Sequence, residues 1–184
     1  MDVAEIAPGL WRWTGRHDGI AADVACVYQE GPDGIVVIDA LVPPEDREHF
    51  LAALDYDVGR VGGNGVHILA TLGRHERSAP ELAARYGAKV WRRDETPLPN
   101  AIQAIECGTG DEVLFWLPEH GALVAGDVLR GRGGGLEVAG ELAPSAVATL
   151  LALPVERVLV SHGEPVLGGG RAALRSTLGP APTA

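Results

Sequence analysis

Four consecutive residues, Arg74, His75, Glu76 and Arg77, bring charged or titratable side chains together in the stretch ATLGRHERSAPEL, residues 70–82. An apolar run precedes them and a helix start follows them, so we place them on a strand-to-helix turn. Glutamate is a carboxylate ligand for divalent cations, and arginine binds carboxylates and other anions. We interpret His75 as a solvent-facing turn residue, with a general base at the mouth of a pocket as the alternative.

The composition supports a folded protein and excludes several classes of function. The 184 residues are 46% hydrophobic, enough for a sizeable core, and we predict one domain at 1–178 with a flexible tail at 179–184. The net charge of −10 excludes a general nucleic-acid surface, because phosphate binding needs a basic patch. No apolar run approaches the ~20 residues of a membrane span, and no signal peptide is visible, so we expect no membrane partner and a cytoplasmic location.

Strands open the sequence, and helices and strands then alternate. Runs rich in Val, Ile and aromatic residues predict strands at 24–29, 34–40, 66–71, 89–92, 101–106, 112–117, 122–129 and 157–161. Helices are predicted at 43–54, 78–88, 143–154 and 170–179. The second helix has a capping-box spacing at Ser78 and Glu81, and Gly87 at its end. This order predicts an α/β fold, a four-layer αββα sandwich of two mixed β-sheets flanked by helices.

Four segments together resemble the metallo-β-lactamase fold family, in the order and spacing which that family uses. They are IAPGLWRWTG with VYQEGPDGIVVIDALVP, then VHILATLGRHERSAPELAARYGAKVW, then GTGDEVLFWLPEHGALVAGDVL, and finally VERVLVSHGEPV. The resemblance extends over about residues 6–178. It implies the same four-layer fold, a buried Asp39, and an ancestor that hydrolysed thioesters, lactams, lactones or phosphodiesters.

Most of the metal ligands that the resemblance implies are missing from this chain. The family holds two zinc or iron ions with a turn that reads T-H-x-H-x-D-H. At the matching positions this chain has Leu72, Arg74, Glu76 and Arg77, and Gly108 replaces a further histidine. Leucine and glycine have no ligating side chain, and arginine stays protonated with no lone pair for a metal. The first metal position, normally three histidines, is therefore predicted to be lost.

The resemblance retains two ligand positions outright, Asp127 in AGD and His162 in SHG. With Glu76 they form a set of two carboxylates and one imidazole that can bind one Zn²⁺, Mn²⁺ or Fe²⁺ ion. Without metal, Arg74 and Arg77 can instead neutralise Glu76 and Asp127 in a salt-bridge network, with or without an anionic small molecule as partner. His162 is then a hydrogen-bonded residue at a strand end.

Three hypotheses of different classes follow. The first is a non-catalytic or very weakly active protein with an Arg/carboxylate pocket and no cofactor, and the missing ligands favour it. The second is a divergent metal-dependent hydrolase of the ester, thioester or phosphodiester class, with one ion at Glu76, Asp127 and His162. The third is a structural or interaction module, a homodimer.

Three other features are given structural interpretations. Cys26 and Cys107 are predicted to be reduced structural thiols, since neither lies in a CxxC pair. GRGGGLEV at 131–138 matches no phosphate-binding motif and is interpreted as a flexible rim loop. VGGNG at 61–65 is predicted to be a turn.

Overall fold

The N-terminal unit, Met1–Asn100, is organised around a six-stranded mixed sheet. Its strands, in order across the sheet, are β1 (Asp2–Ala7), β2 (Leu10–His17), β3 (Ala22–Gly31), β4 (Gly34–Ile38), β5 (Val66–Leu69) and β6 (Lys89–Val90). β1 to β4 pair antiparallel, whereas β5 and β6 run parallel to β4.

The computed structural model describes residues 1–61, 65–92, 94–108 and 110–179. Residues 62–64 of the predicted VGGNG turn and the tail from 180 lie outside the described residues.

Two helices make the crossovers that parallel strands require. Helix α1 (Arg47–Arg60) connects β4 to β5, and α2 (Ala79–Tyr86) connects β5 to β6. α2 ends at Gly87, which has the left-handed φ of 60° that glycine adopts without a steric penalty. Leucines of both helices join one buried apolar cluster with side chains of the sheet.

The C-terminal unit, Ala101–Ala184, contains a second mixed sheet. Its strands, in order across the sheet, are β12 (Arg157–Leu159), β9 (Ala122–Val124), β8 (Val113–Leu117) and β7 (Gln103–Glu106). β12 runs parallel to β9, and the other neighbours are antiparallel. The unit also contains a hairpin, β10 (Leu129–Arg132) with β11 (Gly135–Val138), and helices α3 (Pro144–Ala152) and α4 (Gly170–Leu178). Its apolar cluster includes Leu114, Trp116, Leu123, Leu150 and Leu174.

The predicted fold class is confirmed, since the described residues form two mixed β-sheets, a two-stranded hairpin and four α-helices. The capping box was wrong, because the α2 N-cap makes no side-chain hydrogen bond. The Ser78 hydroxyl accepts the backbone N–H of Val42 at 2.9 Å, and Glu81 pairs with Arg47. Ser78 and Glu81 therefore each bind a residue distant in sequence, where a capping box would use the backbone of the first turn of α2.

The GRGGGLEV segment is a strand hairpin and not an open loop. Its two strands pair antiparallel from Leu129↔Val138 to Arg132↔Gly135. Gly133 and Gly134 form the turn, with φ of 58° and 81°. A two-residue turn with positive φ at both positions matches the right-handed twist of its strands, which explains the glycine pair.

In the part of the chain that the structure describes, no helix is both long and apolar enough to cross a membrane.

Candidate functional site

The four titratable residues Arg74, His75, Glu76 and Arg77 lie on the connection between β5 and α2, and a 3₁₀ turn includes the first two. β5 ends at Leu69, the 3₁₀ turn covers Gly73–His75, and α2 begins at Ala79. The predicted strand-to-helix turn is therefore confirmed. Within it, Arg77 has a positive φ of 38°, a conformation that costs free energy in a residue other than glycine.

The centre of this turn is a buried hydrogen-bonded cluster of Asp39, Thr71 and His75. Asp39 follows β4, and its carboxylate is 2% exposed. Oδ1 of this carboxylate accepts the backbone N–H of Thr71 at 2.7 Å, and Oδ2 accepts the Thr71 hydroxyl at 2.7 Å. Nδ1 of His75 lies 3.1 Å from the same Oδ2 and 3.0 Å from the Thr71 hydroxyl oxygen. Since Asp39 can only accept and the hydroxyl already donates to it, Nδ1 carries the hydrogen and donates.

His75 is therefore a buried partner of a carboxylate, and its interpretation as a solvent-facing turn residue was wrong. The residue is 4% exposed. The physical reason is the burial of Asp39, because a carboxylate away from water is stable only when donors saturate it. Asp39 itself was predicted to be buried, and the structure confirms it.

The guanidinium group of Arg77 contacts Asp39 and Cys26. Its Nη1 donates to the backbone carbonyl of Asp39 at 2.8 Å and lies 3.8 Å from Sγ of Cys26. Cys26 is buried in the apolar cluster that α1 and α2 share with the sheet. Arg77 thus binds the backbone of Asp39, the residue whose carboxylate accepts a hydrogen bond from His75.

The turn separates its side chains into two sets by burial. Thr71, Leu72 and His75 are buried, and Leu72 is 4% exposed within the protein interior. Arg74 and Glu76 are exposed. The predicted network of these two with Arg77 and Asp127 stays a prediction, because Asp127 belongs to the other unit.

The C-terminal unit contains the two retained ligand-type residues, Asp127 and His162, as a close pair. Nε2 of His162 lies 3.4 Å from Oδ1 of Asp127, and their side chains are 23% and 14% exposed. Glu112 binds the backbone at Asp127. One of its carboxylate oxygens accepts the backbone N–H groups of Asp127 at 2.7 Å and of Val128 at 2.8 Å. Two hydrogen bonds to one charged acceptor fix the chain at the position of Asp127.

A close backbone approach fixes the loop of His162 in the same unit. The backbone N–H of Gly131 in β10 donates to the carbonyl of His162 at 3.0 Å. A Cβ on Gly131 would lie 2.0 Å from the carbonyl oxygen of Glu164, and one on Gly163 would lie 2.3 Å from that of Gly131. Gly163 also has a φ of 82°. Only glycine fits at both positions, so the loop is held by its backbone.

The residues do not fit a two-ion centre of the kind that the resemblance implies. Four of the matching positions hold a leucine, two arginines and a glycine, none of which can donate a lone pair to a cation. Across residues 1–61, 65–92, 94–108 and 110–179, no group of three or more His, Cys, Asp or Glu side chains is placed to hold a metal ion. Asp127 and His162 supply two donor side chains, and the participation of Glu76 stays a prediction.

The two cysteines are free and buried. Burial is the main cause that raises the pKa of the Cys26 thiol to about 12, against the opposing charge of Arg77. Burial likewise raises the pKa of Cys107 to about 12, with smaller contributions from Glu112 and Glu106. Because the thiolate is the nucleophile, these values support the interpretation of both residues as structural.

Several solved structures share this fold along nearly the whole chain. The DIM-1 metallo-β-lactamase superposes with a TM-score of 0.61 at 15% identity, over 95% of this chain and 97% of that one. A metallo-β-lactamase from Erythrobacter litoralis gives 0.59 at 18% identity, over 96% and 89%. One from Pontibacter korlensis gives 0.57 at 18% identity, over 94% of each chain.

The chain therefore has the metallo-β-lactamase fold. Identities below a fifth establish the fold alone and carry no activity with them. No protein-family model matches the sequence, and no curated protein matches it.

Proposed function

We propose that this chain is a non-catalytic protein of the metallo-β-lactamase fold, in which hydrogen bonds within the turn replace a metal ion as the structural centre. The observation that carries this proposal is the buried carboxylate of Asp39, which accepts donors from Thr71 and His75 within 3.1 Å. In that arrangement the turn needs no cation to hold it.

The chemistry of the neighbouring residues supports the same conclusion. Leu72 has no donor atom, and the guanidinium of Arg77 is engaged by the carbonyl of Asp39. A divalent cation near a guanidinium group would be repelled strongly in a pocket of low dielectric constant. The residues at this turn therefore disfavour a cation through both their missing ligands and their charge.

A second candidate function is a divergent hydrolase that uses one metal ion. The close pair of Asp127 and His162 favours it, since both side chains are partly exposed and are of types that bind zinc, manganese and iron. In such an enzyme the ion would supply a nucleophilic hydroxide at neutral pH. Glu76 would be the third ligand, as the sequence predicts.

Hydrolysis assays on matched variants separate the two candidates. Wild type and the double variant Asp127→Asn/His162→Gln would be assayed on a β-lactam, a thioester and a phosphodiester, each with Zn²⁺, Mn²⁺ or Fe²⁺ added. We expect the same background rate from both proteins. A metal-dependent rate in wild type that disappears in the double variant would overturn the proposal and establish the hydrolase.

A further inference from the structure

A cavity of about 340 Å³ opens between one face of the N-terminal sheet and helix α1. Four aromatic side chains, Trp11, Trp13, Tyr28 and Phe50, line it together with apolar residues that include Val37 and Leu54. The chain has four Trp, three Tyr and two Phe residues, and four of these nine meet in this one cavity. A volume above 300 Å³ lies in the range of small-molecule sites.

Strand register explains why the aromatic side chains converge. Trp11 of β2 is directly opposite Tyr28 of β3, and Tyr28 is opposite Val37 of β4, so all three lie on one face of the sheet. Trp13 lies on that same face, because residues two apart in a strand point the same way. The rings of Trp11 and Tyr28 meet edge to face, with their centroids 5.3 Å apart.

Helix α1 closes the cavity with one of its faces. Phe50 and Leu54 are four residues apart and line the wall together. The rings of Phe50 and Trp13 approach to 5.3 Å between centroids. Asp57 lies two turns after His49 on the same face, and both line the cavity. The helix thus contributes the ring of Phe50, the imidazole of His49 and the carboxylate of Asp57 to the cavity lining.

Carboxylates outnumber cations among the charged groups that line or adjoin this cavity. Asp57 lines the wall, and Arg60 is shared between Asp57 at 3.0 Å and Glu30, which lies outside the lining. Met1 also lines the cavity, and its amino group is held by two carboxylates outside the lining, Asp46 at 2.9 Å and Glu45 at 3.6 Å. Four carboxylates therefore accompany two cations in this neighbourhood. The surplus of negative charge agrees with the net charge of −10 for the whole chain.

We propose that this cavity binds a small organic cation, a tertiary or quaternary ammonium group with a short apolar body. The faces of tryptophan and tyrosine rings attract such cations through their quadrupoles, and the attraction grows when the cation leaves water. The carboxylate of Asp57, which is also paired with Arg60, adds an opposite charge at the wall. An anionic ligand would meet the same carboxylates unfavourably, so the charge balance selects the cation. This site uses neither Asp127 nor His162, and its test is independent of metal binding.

Choline and its uncharged carbon isostere 3,3-dimethylbutan-1-ol form a matched pair of probes. Both would be titrated into the full chain by isothermal titration calorimetry at low ionic strength. We expect saturable one-to-one binding of choline and binding of the alcohol weaker by about tenfold or more. Equal affinities would show a merely apolar cavity, and no saturable binding of choline would show no site; either result overturns the proposal.

Three variants locate the binding on the protein. Trp11→Leu removes one ring while keeping an apolar side chain, and we expect choline to bind about tenfold more weakly. Asp57→Asn removes the charge, with an expected loss of about threefold at low salt. Trp91→Leu, in the same unit but outside the cavity walls, is the control and should leave the affinity unchanged. If Trp11→Leu does not fold by circular dichroism, Phe50→Leu replaces it, since Phe50 lies on a helix and is only partly buried. A loss in Trp91→Leu as large as in the cavity variants would contradict the assignment.

Discussion

The turn of residues 71–77 in the N-terminal unit and the pair of Asp127 and His162 in the C-terminal unit hold their polar side chains in different ways. In the turn, Thr71 and His75 are buried and hydrogen-bonded to Asp39, whereas Arg74 and Glu76 are exposed. In the pair, the side chains keep the ligand types and remain partly exposed. The contrast follows from burial, because a buried polar group must be hydrogen-bonded within the protein, whereas a partly exposed group can also be hydrated.

The means of support differ in the same way. Side-chain hydrogen bonds hold the turn, and the backbone holds the loop of His162. Gly131 and Gly163 permit the close approach there, and Glu112 binds two backbone N–H groups beside Asp127. We therefore expect mutations in the turn to act through lost hydrogen-bond partners. Mutations in the loop of His162 should act through steric clashes with the backbone.

The largest expected effect is at Asp39. Asp39→Ala leaves the N–H and hydroxyl of Thr71 and the Nδ1–H of His75 buried without an acceptor, and alanine also tolerates poorly the φ of 56°. We expect a loss of about 3–5 kcal/mol in the free energy of unfolding. Urea unfolding with an unchanged m-value measures it. Asp39→Asn is the control and should lose less, because asparagine keeps an acceptor and accepts positive φ. A loss below about 1 kcal/mol in Asp39→Ala would show that the cluster does not stabilise the turn.

The matching test on the other region is Gly163→Ala. Its added Cβ would lie 2.3 Å from the carbonyl oxygen of Gly131, in a residue whose φ is 82°. We expect a loss of about 3 kcal/mol from the clash and the strained backbone together. The control is Gly168→Ala, where a Cβ would meet nothing within 4 Å. Equal unfolding free energies for the two variants would contradict a backbone-held loop.

His75→Ala sharpens the description of the turn. The change removes one of the three donors to Asp39 while leaving the two from Thr71, so we expect a loss of about 2 kcal/mol by the same urea measurement. His49→Ala, on an exposed position of α1, is the control and should change stability by less than about 0.5 kcal/mol. If both variants lose equally little, His75 is not a structural donor.

The smallest expected effect is at His120, which is buried like His75. Burial lowers the pKa of His120 below its ordinary value of 6.5, and the charge of Arg157 acts in the same direction against that of Glu119. The unfolded chain then binds a proton more readily than the folded one, so stability is present above about pH 6.5 and decreases as the pH falls through the folded-state pKa. We expect His120→Gln to make the unfolding free energy less dependent on pH. The change in slope should correspond to less than one proton per molecule. Unfolding free energies measured from pH 8 to pH 5 test this, and identical slopes in both proteins would refute it.

The helices and most strands were predictable because they depend on local composition, and the resemblance located the burial of Asp39. No run was predicted as a strand at β1 or β2. The environment of His75 was not predictable in the same way. Its carboxylate partner lies 36 residues earlier in the sequence, and no local pattern records that contact. The hydrogen bonds of Glu112 to the backbone of Asp127 span 15 residues and were missed for the same reason. The Gly133–Gly134 turn did carry a local signal, since paired glycines between short apolar runs favour a hairpin.

The metal content of the purified protein tests the central claim most directly. Wild type and Asp127→Ala would be incubated with Zn²⁺, desalted and analysed by elemental mass spectrometry. We expect far less than one equivalent of zinc in both proteins, because the turn is held by Asp39, Thr71 and His75. About one equivalent or more in wild type, lost in Asp127→Ala, would contradict it and restore a metal-centred site.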